Sequence, residues 1–174
     1  MEYLFTFKYQ LSATDNDVDD IVERLGDAGC DDSIVGVGQP GRIALEFARE
    51  ADNARTALLS ALAARKRAVP TAKLIEAGPD LVGLTDVAEV TKVSRQHMRK
   101  LMIKYATTFP TPIHEGNAAV WHLAPVLGWL CNNTRYELEQ SLVDVAETAM
   151  KINVAKEARR LGARDLRELR ELVA

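Results

Sequence analysis

The chain has 174 residues, 47 % of them apolar, and a formal net charge of −3, a balance ordinary for a folded soluble protein. No stretch approaches the ~20 apolar residues that span a bilayer, which excludes a helical membrane anchor, and two unpaired cysteines, Cys30 and Cys131, exclude a disulfide framework. The length suits one medium domain, or two small ones with a helical tail.

Residues 3–11 alternate Tyr3, Phe5, Phe7, Tyr9 and Leu11 against Leu4, Thr6, Lys8 and Gln10, the period of a half-buried strand. Asn16 or Asp17 is placed to cap a helix with the stripe Val18, Ile21, Val22 and Leu25, stopped near Gly29. The run Asp15, Asp17, Asp19, Asp20 lacks the central Gly and final Glu of a calcium loop and reads as capping charge. Ser33–Gly38 predicts a strand, Gln39-Pro40-Gly41 a turn, and Arg42–Glu50 a strand with Ile43, Leu45 and Phe47 on one face. Asp52 or Asn53 then caps a helix carrying Ala57, Leu58, Ala61 and Leu62, and Ala72–Ala77 closes the unit as a strand. This βαββαβ order predicts a ferredoxin-like sandwich over residues 1–79, a platform for dimerisation or for a partner or ligand. RNA-recognition modules share the order but stack bases on open-face aromatics. Here the open face is Thr6, Lys8, Gln10, Arg42, Ala44 and Glu46, with none.

The segment from Leu84 to Leu130 predicts a helix-turn-helix and a wing. Thr85 is the expected cap of the first helix, with Asp86 in its positively polarised first turn and Leu84, Val87, Ala88 and Thr91 as its core face. A tight turn at Lys92 and Val93 leads to Ser94, the expected cap of the second helix. Met98, Leu101 and Met102 point inward at helical spacing. Arg95, Gln96, Arg99, Lys100 and Lys104 are left on the outer face, the side-chain types that reach base edges and phosphates. Pro110 and Pro112 set an extended entry to a hairpin in which Gly116 is free to take positive φ, and Val120-Trp121 resumes a strand. Pro125 suits the first turn of a closing helix with Val126, Leu127, Trp129 and Leu130, and Trp121 and Trp129 read as core pillars.

Leu84-Thr85, Val87-Ala88-Glu89, Val93-Ser94-Arg95, Phe109-Pro110-Thr111-Pro112, Glu115-Gly116-Asn117, Trp121 and Trp129-Leu130 follow in an order and spacing that resembles the excisionase and AlpA-type DNA-binding domains, a winged branch of the MerR-like group. The resemblance covers about fifty residues. It implies a winged helix-turn-helix over residues 80–131 that binds duplex DNA. Two positions depart from the pattern. Lys92 stands where the family usually has Gly, which predicts a non-Gly residue in left-handed backbone, and the hairpin Glu115–Ala119 lacks the arginines of family wings.

In the tail, residues 132–174, Leu138, Leu142, Val145, Ala149 and Ile152 recur at steps of four and three. This is the seam of a short coiled coil or of a helix docking along a partner, so the tail is a candidate dimerisation element. After Gly162, Leu166, Leu169 and Leu172 alternate with three arginines and three acids, the pattern of a solvated, ion-paired face.

No nucleophile elbow, phosphate loop or close ligand spacing occurs, so no enzyme activity, cofactor or metal is expected. Residues 1–80 hold nine Lys or Arg against fourteen Asp or Glu, residues 81–130 five against three, and residues 131–174 eight against eight. The reading head is thus the one cationic segment, and such a balance predicts modest nonspecific affinity and a need for dimerisation. The expected fold is α+β, a ferredoxin-like domain, a winged helix-turn-helix and a helical tail. The expected function is sequence-specific binding of double-stranded DNA by a cytoplasmic, nucleoid-associated prokaryotic regulator acting as a homodimer. The expected contacts are Thr85, Ser94, Arg95, Gln96, His97, Arg99, Lys100, Lys104, His114 and Asn117, with Arg95, Gln96 and Arg99 on bases and Lys100 and Lys104 on phosphates. A protein-interaction module of antitoxin or adaptor type, with a protein partner, and an excisionase-like architectural factor are the alternatives.

Overall fold

The computed structural model describes residues 1–15 and 17–173. It is a mixed α+β fold built on an antiparallel sheet. Strand β1 (Glu2–Gln10) is followed by helix α1 (Val18–Asp27), strands β2 (Ser33–Val37) and β3 (Arg42–Glu50), helix α2 (Ala54–Ala68) and strand β4 (Lys73–Gly78). The strands lie in the order β2-β3-β1-β4, each pair antiparallel. The aromatic parity of β1 decides which face is covered: Tyr3, Phe5, Phe7 and Tyr9 are buried with Ile43, Leu45 and Phe47 of β3 beneath Ile21 and Leu25 of α1 and Ala57, Leu58 and Ala61 of α2. Phe5 stacks on Phe47 at 5.0 Å between centroids, an aromatic contact that joins β1 to β3 in the first core. Every aromatic of β1 is spent there, and the open face has none to offer a base.

The caps follow local chemistry. Asp17 Oδ1 accepts from the backbone N–H groups of Asp19 and Asp20 at the start of α1, while Asn16, the other candidate, lies outside the described residues. Asn53, not Asp52, caps α2, its Oδ1 accepting from Thr56 N at 2.8 Å. Gly41, at φ 73°, closes the Gln39-Pro40-Gly41 turn through the bond from Arg42 N to Gln39 O.

A second core forms around α3 (Leu84–Val90), α4 (Arg95–Lys104) and α5 (Leu123–Asn133), with Val87, Ala88, Met98, Phe109, Trp121, Leu127, Trp129 and Leu130 buried in it. Both tryptophans are therefore packing residues, and Trp121 Nε1 donates to Pro110 O at 3.0 Å. The hairpin is shorter than the sequence predicts. One bridge, His114 to Val120, holds it; strand β6 (Trp121–His122) pairs instead with β5 (Leu81–Val82), a strand the sequence reading missed in the connection between the two cores. Gly116 does not take positive φ. Its missing side chain is used otherwise: a Cβ there would stand 2.8 Å from His114 Nε2, so the imidazole lies against the glycine.

The tail also differs from expectation. Helix α6 (Gln140–Ala158) buries its seam inside this chain: Val145 and Ala149 enter the first core, with Ile152 against it, while Ala146 enters the second, with Leu138 and Leu142 against it. The heptad-like stripe therefore docks α6 across both cores and is not available as an intermolecular seam. Helix α7 (Ala163–Leu172) follows, with Leu169 and Leu172 exposed.

Candidate nucleic-acid interface

The turn between α3 and α4 sets the direction of the candidate reading helix. α3 begins at Leu84, one residue before the cap expected at Thr85; Gly83 is the capping residue, and its N–H donates to Asp86 Oδ2 at 2.7 Å. Thr85 is an exposed first-turn residue instead. At the other end Thr91 Oγ1 donates back to Val87 O at 2.7 Å and Val93 N to Ala88 O at 2.9 Å. Lys92 stands at φ 55°, the left-handed backbone predicted for that position. Small Ala88 lets the turn close over it. Ser94 then caps α4, its Oγ accepting from His97 N at 3.2 Å.

On α4, Met98 is fully buried and Leu101 and Met102 are half-buried. The opposite face presents Arg95, Gln96, Arg99, Lys100 and Lys104, all exposed. Among the described residues none of the side chains of Arg95, Gln96, Arg99 and Lys100 has a hydrogen-bond or ion-pair partner. Lys104 lies 4.9 Å from the centre of the Tyr105 ring. Four long polar side chains without internal partners leave their donors free for an external acceptor. His97 is the exception on this helix. Its Nε2 is 2.7 Å from Tyr136 Oη and the two rings meet edge to face at 6.3 Å, so it ties α4 to the segment before α6. His114 and Asn117 are exposed at the hairpin, which carries no arginine.

Two groups that organise this region went unnoticed in the sequence. Asp80, almost fully buried, receives Asn153 Nδ2 on Oδ2 at 2.8 Å and faces His122 Nδ1 from Oδ1 at 2.8 Å, and its backbone carbonyl accepts from Leu123 N. Asn153 also donates to Ala77 O at 2.8 Å and accepts from Ala77 N at 2.9 Å. A single polar cluster thus joins β4, β6 and α6. His122 faces Asp80, and no group of three or more His, Cys, Asp or Glu placed to hold a metal occurs among the described residues. No described helix is long and apolar enough to cross a membrane.

Comparison with protein-family models, with curated proteins and with solved structures finds no match to this chain. The residues themselves therefore carry the functional argument.

Proposed function

We propose that this chain binds double-stranded DNA in a sequence-specific manner, as a prokaryotic transcriptional regulator that acts as a homodimer. On this reading residues 1–79 form a ferredoxin-like sandwich and residues 80–131 a winged helix-turn-helix of the excisionase and AlpA type. The observation that carries it is the outer face of α4, where Arg95, Gln96, Arg99 and Lys100 stand exposed, without a partner among the described residues, behind a tight left-handed turn. A helix so presented fits the major groove, where Arg reads guanine and Gln reads adenine by paired hydrogen bonds. Arg95 and Gln96, at the amino end, reach base edges; Arg99 is a further reader; Lys100 and Lys104 hold phosphates. The short, arginine-free hairpin adds little anchoring, which throws the burden of affinity on a second copy. Selection of bound duplexes from a random pool at near-physiological salt tests this reading. An enriched inverted repeat, with half-sites about 10 base pairs or a multiple apart, is the expected result; a pool that stays random contradicts it.

A second reading, a protein-interaction module, draws on one observation. The open face of the sheet exposes Leu4 (66 %) and Ile34 (71 %) beside Ala44 and Ala48, an apolar patch on the acidic unit. A protein retained by residues 1–80, with no DNA selected, would favour it.

A further inference from the structure

Among the described side chains of helix α7 none is buried. Leu169 is 43 % exposed, Leu172 75 % and Val173, just past the helix, 78 %. A helix of ten residues is marginal in water unless an apolar face is covered. Its neighbour adds to the patch: Met150, Val154 and Ala158 line the outer side of α6 along a groove that reaches Arg170, with Val154 53 % and Leu161 43 % exposed.

The charges on α7 say what covers it. In sequence, Leu166, Leu169 and Val173 repeat at steps of three and four, the inner positions of a heptad. Asp165 and Arg170 then occupy the two flanking positions, about 140° apart around the helix, too far round to pair with each other. Neither forms an ion pair with a described residue. In a parallel pair of identical helices the first flanking residue of one chain meets the second of the other, so Asp165 faces Arg170 of its copy twice over. An antiparallel pair would set Asp against Asp and Arg against Arg. We infer that α7 is a homodimer contact, in which two copies of this chain align their α7 helices in parallel, with Val154 and Leu161 at the margin. A stable interface covers roughly 800 Å² on each partner, which is why the α6 margin has to contribute beyond the short seam. The surface deepens the proposed reading by placing its dimer contact, yet it does not rest on DNA binding, since α4 takes no part in it.

Sedimentation of the full chain over a range of concentrations tests the inference, with circular dichroism as the check on folding. The wild type is expected to pass from monomer to dimer. The pair Leu169→Glu and Leu172→Glu, both at exposed positions, should leave a folded monomer. Asp165→Arg alone and Arg170→Asp alone should each weaken dimerisation about tenfold or more, and the two together should restore it. A chain that stays monomeric throughout, a dimer indifferent to the leucine changes, or a double charge swap no better than either single one overturns the proposal. Because α4 takes no part in this contact, a wild type that stays monomeric yet still selects duplexes overturns the contact alone, and a wild type that dimerises as described while its duplex pool stays random overturns the DNA reading alone.

Discussion

Asn153 on α6 donates from Nδ2 to Asp80 Oδ2 at 2.8 Å, across 73 residues of sequence. The same side chain completes both backbone groups of Ala77. One amide therefore holds the tail helix to the end of β4 and to the residue from which the second core departs.

Replacing Asn153 with Leu keeps the volume and removes all three bonds. The buried N–H and C=O of Ala77 and one oxygen of Asp80 lose their partner, which should cost about 2–3 kcal/mol or more. The urea midpoint should fall accordingly. An unchanged midpoint would mean that the cluster is decorative.

The contact of His97 with Tyr136 is smaller and nearer the surface. Tyr136→Phe removes the hydroxyl 2.7 Å from His97 Nε2 and should lower stability by about 0.5–1 kcal/mol. The ring proton resonances of His97 should move while those of His114 stay in place. Resonances that all stay fixed would show that the two rings are not joined in solution.

Tyr9 provides a pH test of the first core. Burial pushes its phenol up to about 12 from an ordinary 10, against the pull of the Arg65 guanidinium, which sits 4.4 Å over the ring. A group whose folded pKa is raised contributes its stability below the unfolded pKa and loses it as pH climbs through the folded one. The fold should therefore weaken between about pH 10 and 12, with one of the four tyrosines ionising late and together with unfolding. Among the described residues its hydroxyl has no hydrogen-bond partner, so Tyr9→Phe should abolish the late step and cost little or nothing at neutral pH. A late step that survives in that variant assigns it elsewhere.

Cysteine labelling separates a core thiol from a surface one. Cys30 is buried in the first core, and burial pushes its thiol up, which lowers its thiolate fraction, while Cys131 is exposed. Iodoacetamide at neutral pH should modify Cys131 in the native protein and reach Cys30 on unfolding. Equal rates at both positions would show that the loop after α1 opens readily.

What was legible in the sequence were the features with a local cause. The alternation from Tyr3 to Tyr9 gives its strand and its buried face, and Ser94 caps α4 by its own hydroxyl; the left-handed backbone at Lys92 followed only from the glycine that the resembled pattern carries there. Features decided by distant partners were not legible. The β5 strand exists because Leu81-Val82 meets Trp121-His122 some forty residues away. Thr85 lost its expected capping role because Asp86 reaches back to the N–H of Gly83, two residues further upstream. The stripe on α6 is heptad-like in sequence, and only packing shows that two internal cores consume it. In the candidate interface, the outer face of α4 followed from periodicity, whereas the tie from His97 to Tyr136 had no sequence signal.

Affinity of Arg95→Ala and Lys104→Ala for an enriched duplex and for scrambled duplexes, measured by fluorescence anisotropy across a salt series, tests the central claim most directly. Arg95→Ala should lose about 1–3 kcal/mol on the enriched duplex and little on scrambled ones, and Lys104→Ala should weaken binding to all of them alike and reduce the salt slope by about one. Wild-type protein that binds no duplex above background, or two variants that lose the same affinity on every sequence, contradicts the assignment of α4 as the reading helix.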